Sequence, residues 1–221
     1  MKGLYAIIDA DFLNERGLSP LPYLEAVLSA HPAAVQLRAK SGGARQTLAL
    51  LRLLSARCAT EHVPFFANDR PDLAILANCS GVHLGQTDMD VADARRLSPE
   101  LAIGLSTHCL DEVDIALRQR PAYVAFGPIF GTASKADAQP VVGLDALAEA
   151  ARRCRVARVP LVAIGGLTLE RAPLVARSAD AGAIISALLP ADGLSGVPGA
   201  AQRLHAALGG SYVANAAEPS V

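Results

Sequence analysis

Short apolar runs rich in valine, isoleucine and aromatic residues recur along the chain, and stretches of helical period separate most of them. The runs predict strands at 4–9, 34–40, 64–69, 81–86, 102–108, 123–130, 160–166 and 182–188. Between the second and third, the spacing predicts a helix over 45–60 with Leu48, Leu51, Leu54 and Cys58 on one face. After the sixth, Asp145 reads as the N-cap of a helix that turns Leu147, Ala150, Ala151 and Cys154 inward. Arg152 and Arg153 then fall near its negative C-terminal end. Thr168 reads as the cap of the helix after the seventh strand.

Eight strand–helix units predict an α/β fold, a (β/α)8 TIM barrel, as one domain over 1–208 with a frayed tail at 209–221. The alternative is an open doubly wound sheet. That sheet usually carries fewer strands and favours a glycine-rich loop after the first. Asp9-Ala10-Asp11 stands there instead.

Composition narrows the function. Of 221 residues, 52% are apolar and 19% charged, enough to bury a sizeable core and unlike a disordered chain. Lys plus Arg is 20 against 21 Asp plus Glu, a formal charge of −1, so no broad field attracts nucleic acid or a membrane surface. Anion binding must be local. The N-terminal apolar run is too short for a signal peptide, and no run is long enough to span a membrane, so a soluble cytoplasmic protein is expected. Cys58, Cys79, Cys109 and Cys154 have no metal-ligand spacing and read as thiols in a reducing compartment. The chain has 17 arginines but only three lysines, Lys2, Lys40 and Lys135. The last two fall at predicted strand ends or loops.

In such a barrel the working residues sit at the C-terminal ends of strands. In the second strand, Gln36, Arg38 and Lys40 share a face, and Val35, Leu37 and Ala39 share the other. Three long donors at the mouth suit a multiply charged anion such as pyrophosphate; a salt-bridged strand end is the alternative. The third strand ends at Asn68-Asp69, and the fourth runs out to Asp88. Neighbouring strands lie about 4.8 Å apart, so Asp69 and Asp88 can approach one point and share Mg²⁺ with phosphate oxygens and water. Solvated loop aspartates are the plainer reading.

The fifth strand offers the Ser106 hydroxyl and His108, a candidate general base, while His83 within the fourth strand reads as structural. His31, His62 and His205 carry no pattern. The sixth runs into Thr132-Ala133-Ser134-Lys135, which brings hydroxyls and a point charge. The seventh ends at Gly165-Gly166, and the eighth reaches Ile185-Ser186. Backbone N–H groups there suit a phosphomonoester, with a simple tight turn as the alternative. The layout suits an enzyme that joins two phosphorylated small molecules with pyrophosphate leaving.

The ordered set Gln36-Leu37-Arg38-Ala39-Lys40, Asn68-Asp69, Gly81-Val82-His83-Leu84-Gly85-Gln86 with Asp88, Gly104-Leu105-Ser106-Thr107-His108, Gly127-Pro128-Ile129-Phe130, Thr132 through Lys135, Ala163-Ile164-Gly165-Gly166 and Ile185-Ser186 resembles the thiamine-phosphate synthase family. The resemblance runs from about Leu4 to Leu208. It implies a (β/α)8 barrel that joins a pyrimidine diphosphate to a thiazole phosphate, with Mg²⁺ as cofactor. It implies that Gln36, Arg38, Lys40, Asn68 and Lys135 hold the pyrimidine diphosphate, and that Asp69 and Asp88 bind the metal. Ser106 would contact the pyrimidine substrate. Thr132, Ala133 and Ser134 would touch the thiazole substrate, and the backbone at Gly166, Ile185 and Ser186 would grip its phosphate. Arg38, Lys40, Ser106 and Lys135 are the expected catalytic residues. Gly131 stands where the family often has proline, and Ser134 where threonine is common.

Two rivals differ in class. A thiazole tautomerase shares this barrel and a similar histidine-containing fifth strand but needs no diphosphate or metal cluster. A non-catalytic binder would keep the phosphate grip without the metal pair. Small-molecule substrates are the expected partners, with a homo-oligomer open.

Overall fold

The computed structural model describes residues 1–131 and 140–211. Its eight strands are β1 (Gly3–Asp9), β2 (Ala34–Arg38), β3 (Phe65–Asn68), β4 (Gly81–Leu84), β5 (Ala102–Thr107), β6 (Tyr123–Phe126), β7 (Leu161–Ile164) and β8 (Ala181–Ile184). Each pairs in parallel with its sequence neighbours, and β8 pairs with β1, closing the barrel. The helices are α1 (Ala10–Asn14), α2 (Pro20–Leu28), α3 (Ala44–Thr60), α4 (Pro71–Leu76), α5 (Val91–Leu97), α6 (Leu110–Arg118), α7 (Gly143–Ala157), α8 (Ala172–Val175) and α9 (Val197–Ala207). The barrel is the predicted one.

Strands covered on both faces read as continuous apolar runs, and β1 is buried at every position. Period two still sorts its side chains. Leu4, Ala6 and Ile8 join the cluster between sheet and helices, while Tyr5 and Ile7 point inside. The interior is uneven. Tyr5, Phe66 and Tyr123 form an aromatic trio with ring centroids 5.3–6.1 Å apart. Ala34, Ala125, Ala181 and Ala183 line the same interior with small side chains. Two glycines make room for the rings. A Cβ on Gly81 would come 2.6 Å from Phe66 Cε1, and one on Gly104 would overlap the Tyr123 ring.

The predicted strands are right in number and order but extend too far at their C-terminal ends. β2 stops at Arg38, β4 at Leu84, β6 at Phe126, β7 at Ile164 and β8 at Ile184. Beyond these points the backbone leaves the ladder: Gly165 and Gly166 take φ of 100° and 62°, and Ser186–Leu188 forms a 3-10 turn. Lys40, Asp69 and Ser186 therefore lie on loops just above the strands.

Helix α3 buries Leu51, Leu54 and Cys58 as expected, with Leu48 half-buried, and α7 buries Leu147, Ala150, Ala151 and Cys154. Three cap assignments need correction. Asp145 lies in the first turn of α7, whose N-cap is Val142. Arg152 and Arg153 reach back to Glu149 instead of serving the helix end; Arg153 also donates to Asp114 of α6 at 2.7 Å. Thr168 precedes α8 by a full turn, and its carbonyl accepts from the N–H groups of Arg171 and Ala172. No described helix is long and apolar enough to cross a membrane. Residues 212–221 of the expected tail lie outside the described residues.

Candidate active site

A cavity of about 450 Å³ opens at the C-terminal end of the barrel. Gln36, Arg38, Lys40, Asn68, Asp69, Asp88, Ser106 and Ile185, eight of the residues singled out from the sequence, line it together. Period two accounts for this, because Gln36 and Arg38 on β2, Asn68 on β3 and Ser106 on β5 all occupy inward positions.

The cations are not bare. Arg38 Nη1 donates to Asp9 Oδ2 at 2.6 Å, and Lys40 Nζ pairs with Asp69. Arg38 and Lys40 thus each have a carboxylate partner from the protein itself, as the salt-bridged alternative expects, while Gln36 donates to the Tyr5 hydroxyl. Asp9 was missed as a site residue. It is buried, ends β1, and also caps α1 by accepting from Phe12 N at 3.0 Å. The register that sets Asp9 beside Arg38 could have suggested the pair. Asp11, two residues on, accepts from the backbone N–H of Lys40 at 2.8 Å and fastens the β2 loop to α1. The Ser41 hydroxyl, together with that backbone bond, holds the Asp11 carboxyl below the ordinary carboxylate range.

Asp69 sits at φ 64°, a left-handed conformation that is uncommon for a residue with a side chain and more tolerable for aspartate than most. Its own N–H donates to the His83 carbonyl at 2.8 Å, which locks the turn onto β4. Asp88 reaches the same point from the next loop, steadied by Gly85 N donating to its Oδ2 at 2.7 Å. Burial pushes the Asp88 carboxyl above its usual range, and the hydrogen-bonded Asp69 carboxylate pushes it further; the Gly85 N–H and Lys40 oppose the shift. Two carboxylates in hydrogen-bond reach require a shared proton or a cation between them. An all-oxygen donor set of two carboxylates, with room for phosphate and water, fits Mg²⁺. No group of three or more metal-ligating side chains occurs among the described residues, so further ligands would have to come from elsewhere.

On the β7–β8 side Val162, Ile164, Ala183 and Ile185 line the cavity, and Gly166 is not among its lining residues. The left-handed turn at Gly165-Gly166 packs against Pro128 and Phe130, leaving no space for a Cβ at either glycine. Arg171, unnoticed in the sequence, lies over the Phe130 ring and donates to the Gly166 carbonyl at 2.7 Å. Ile185 lines the main cavity, whereas Ser186 lines an adjoining depression with Phe12 and Arg16. Thr132, Ala133, Ser134 and Lys135 lie outside the described residues.

His108 also faces the cavity, its Nδ1 3.2 Å from Glu112 Oε2. His83, read as structural, is buried but lines the cavity as well, between Tyr123 and Ser106. Tyr5 and Tyr123 were passed over because aromatic residues in a strand read as core.

A family model described as thiamine monophosphate synthase matches residues 4–188. The chain belongs to this family. Thiamine-phosphate synthase of Anaeromyxobacter dehalogenans is 39% identical over 219 residues, covering 98% of this chain and 92% of the relative. That of Koribacter versatilis is 43% identical over 190 residues, covering 84% and 88%. Among solved structures, thiamine phosphate pyrophosphorylase from Pyrococcus furiosus superimposes with a TM-score of 0.82 at 27% identity, covering 94% and 95%. Membership of the thiamine-phosphate synthase family makes the protein a transferase acting on small molecules. The match spans the strands that carry the acid–base cluster at β2–β4 and the Gly165-Gly166 turn after β7.

Proposed function

We propose that the protein condenses 4-amino-2-methyl-5-(diphosphooxymethyl)pyrimidine with 4-methyl-5-(2-phosphooxyethyl)thiazole, or its carboxylate form with loss of carbon dioxide, giving thiamine phosphate and pyrophosphate in the cytoplasm. The observation that carries this reading is the convergence of Arg38, Lys40, Asp69 and Asp88 at one side of a cavity whose β7–β8 side is lined by Val162, Ile164, Ala183 and Ile185. A tautomerase would have no use for that cluster.

The diphosphate sits by Arg38 and Lys40, with Asn68 beside it. Gln36 and Ser106, lower in the cavity, take the pyrimidine. The bond between the pyrimidine methylene and the diphosphate oxygen breaks, and its electron pair leaves with pyrophosphate. The methylene cation is stabilised by the ring amino group, and the thiazole nitrogen then donates its lone pair to form the new C–N bond. With the uncarboxylated thiazole no proton transfer is needed to balance this step; with the carboxylate form carbon dioxide leaves and a proton from water takes its place on the ring carbon. Arg38 is fixed in advance by Asp9 and Lys40 by Asp69, so little reorganisation is required as charge gathers on the leaving group. Mg²⁺ held by Asp69 and Asp88 would neutralise part of that charge. The thiazole is held by its own phosphate at Gly166, Ile185 and Ser186, with Thr132 to Ser134 against the ring and Lys135 on the diphosphate; this supplies orientation.

The purified protein, given both substrates and Mg²⁺, is expected to form thiamine phosphate, read as thiochrome fluorescence. EDTA and either Asp69→Ala or Asp88→Ala should abolish the signal. Undiminished product in EDTA with both variants active would overturn the metal assignment. No product from folded wild type would overturn the reaction.

A further inference from the structure

A chain of hydrogen bonds crosses the barrel along the cavity lining, and its two ends are the side chains assigned above to the pyrimidine. Gln36 Nε2 donates to the Tyr5 hydroxyl at 3.1 Å, and the Tyr5 and Tyr123 hydroxyls lie 2.7 Å apart. His83 Nδ1 is 2.9 Å from the Tyr123 hydroxyl, and its Nε2 is 2.8 Å from Ser106 Oγ. The five residues come from β2, β1, β6, β4 and β5. Tyr5 and Tyr123 are 1% exposed, so water cannot readily substitute for a missing link. The glycine at position 104 exists in this context to admit the Tyr123 ring.

We propose that Tyr5, Tyr123 and His83 are positioning residues that act through Gln36 and Ser106, coupling these two ends into one unit that recognises an aminopyrimidine edge. The inference rests on the synthase reading. Each hydroxyl has one proton, and a neutral imidazole has one N–H and one lone pair. When each hydroxyl passes its single proton along the chain, the links run head to tail. If Gln36 donates into the chain, Ser106 receives from His83 and turns its own O–H to the cavity. In the reverse polarity Ser106 donates inward, His83 takes its other tautomer, and the Gln36 amide is flipped. Either way the choice made at one end dictates the other.

An aminopyrimidine presents an N–H donor and a ring-nitrogen acceptor. Such an edge, meeting both ends, closes the chain into a circuit and selects one polarity. As the diphosphate departs, positive charge spreads to the ring amino group and its N–H becomes a stronger donor. A buried chain of polarisable hydrogen bonds distributes that change across several groups. Breaking any one link removes this benefit, and breaking a second removes little more.

Cuts at the inner links, away from the Gln36 and Ser106 ends, test the proposal. Tyr5→Phe and Tyr123→Phe each delete one hydroxyl and keep the ring. Each is expected to lower kcat about tenfold, the scale of one lost hydrogen bond, with KM for the thiazole phosphate unchanged. The double variant is expected to fall no more than about threefold below the weaker single variant, because residues acting as one unit are not additive. A product of the single effects, about a hundredfold, would overturn the proposal.

A second readout needs no turnover. In ¹⁵N-histidine NMR spectra of the full chain, Tyr5→Phe, which leaves Tyr123 and Ser106 beside the His83 ring, is expected to change the tautomer populations of His83. An unchanged His83 signal would overturn the coupling. Wild type that makes no thiamine phosphate but shows this remote effect would sink the synthase reading alone.

Discussion

Asp69 shows how much a single position can carry. Its left-handed backbone brings its carboxylate to Lys40 and Asp88 together, and the His83 carbonyl holds it there. Its importance was legible from its place at a strand end, as was that of Gln36, Arg38 and Lys40 from their alternation. Asp9 was not, because its role depends on the register between β1 and β2. Tyr5, Tyr123 and His83 were hidden for a different reason: a strand pattern says which way a side chain points but not which hydroxyl meets which nitrogen across a barrel. The glycines beneath them give a sharp test. Gly104→Ala forces a methyl into the Tyr123 ring and is expected to cost about 1–3 kcal/mol in urea unfolding, with activity lost in step. A neutral effect would contradict the packing.

His205 offers a test of pH dependence at the same scale. It is buried on α9, its Nδ1 accepts from Leu4 N at 3.3 Å, and burial lowers its pKa below the ordinary value of 6.5. The unfolded chain therefore binds a proton first as the pH falls. The stability due to the neutral imidazole is fully present above about pH 6.5 and drains as pH drops toward the lowered folded value. Urea midpoints of wild type and His205→Gln should differ most near neutrality, and the gap should narrow at lower pH. A gap that stays constant would contradict this account.

At the scale of elements, strand number, order and facing were readable because both faces of each strand are apolar or alternate cleanly. The C-terminal boundaries were not, since apolar and functional residues continue past the ladder into the loops that form the site. The rim between β7 and α8 illustrates this. Gly165-Gly166 looked like a turn or a phosphate cradle, but the brace that shapes it, Arg171, comes from the following segment and carries no motif. Arg171→Ala frees the Gly166 carbonyl and the Phe130 contact. It is expected to raise KM for the thiazole phosphate about tenfold while KM for the pyrimidine diphosphate stays within twofold, the signature of one lost charge-assisted hydrogen bond at one subsite. An equal rise in both constants would mean that the brace serves the whole barrel.

On the scale of the whole molecule, the barrel divides its work. The lower interior is aromatic and tied together by hydroxyls, the β2–β4 side of the mouth gathers charge, and the β7–β8 side is apolar with the Gly165-Gly166 turn beyond it. That division matches a reaction in which one substrate loses a diphosphate and the other is held by a phosphate of its own. The most direct test is to follow both products at once from wild type supplied with the two substrates and Mg²⁺. The account predicts thiamine phosphate and pyrophosphate appearing in a one-to-one ratio, both dependent on the thiazole phosphate. Pyrophosphate or phosphate released without thiamine phosphate, or neither product from folded protein, would contradict it.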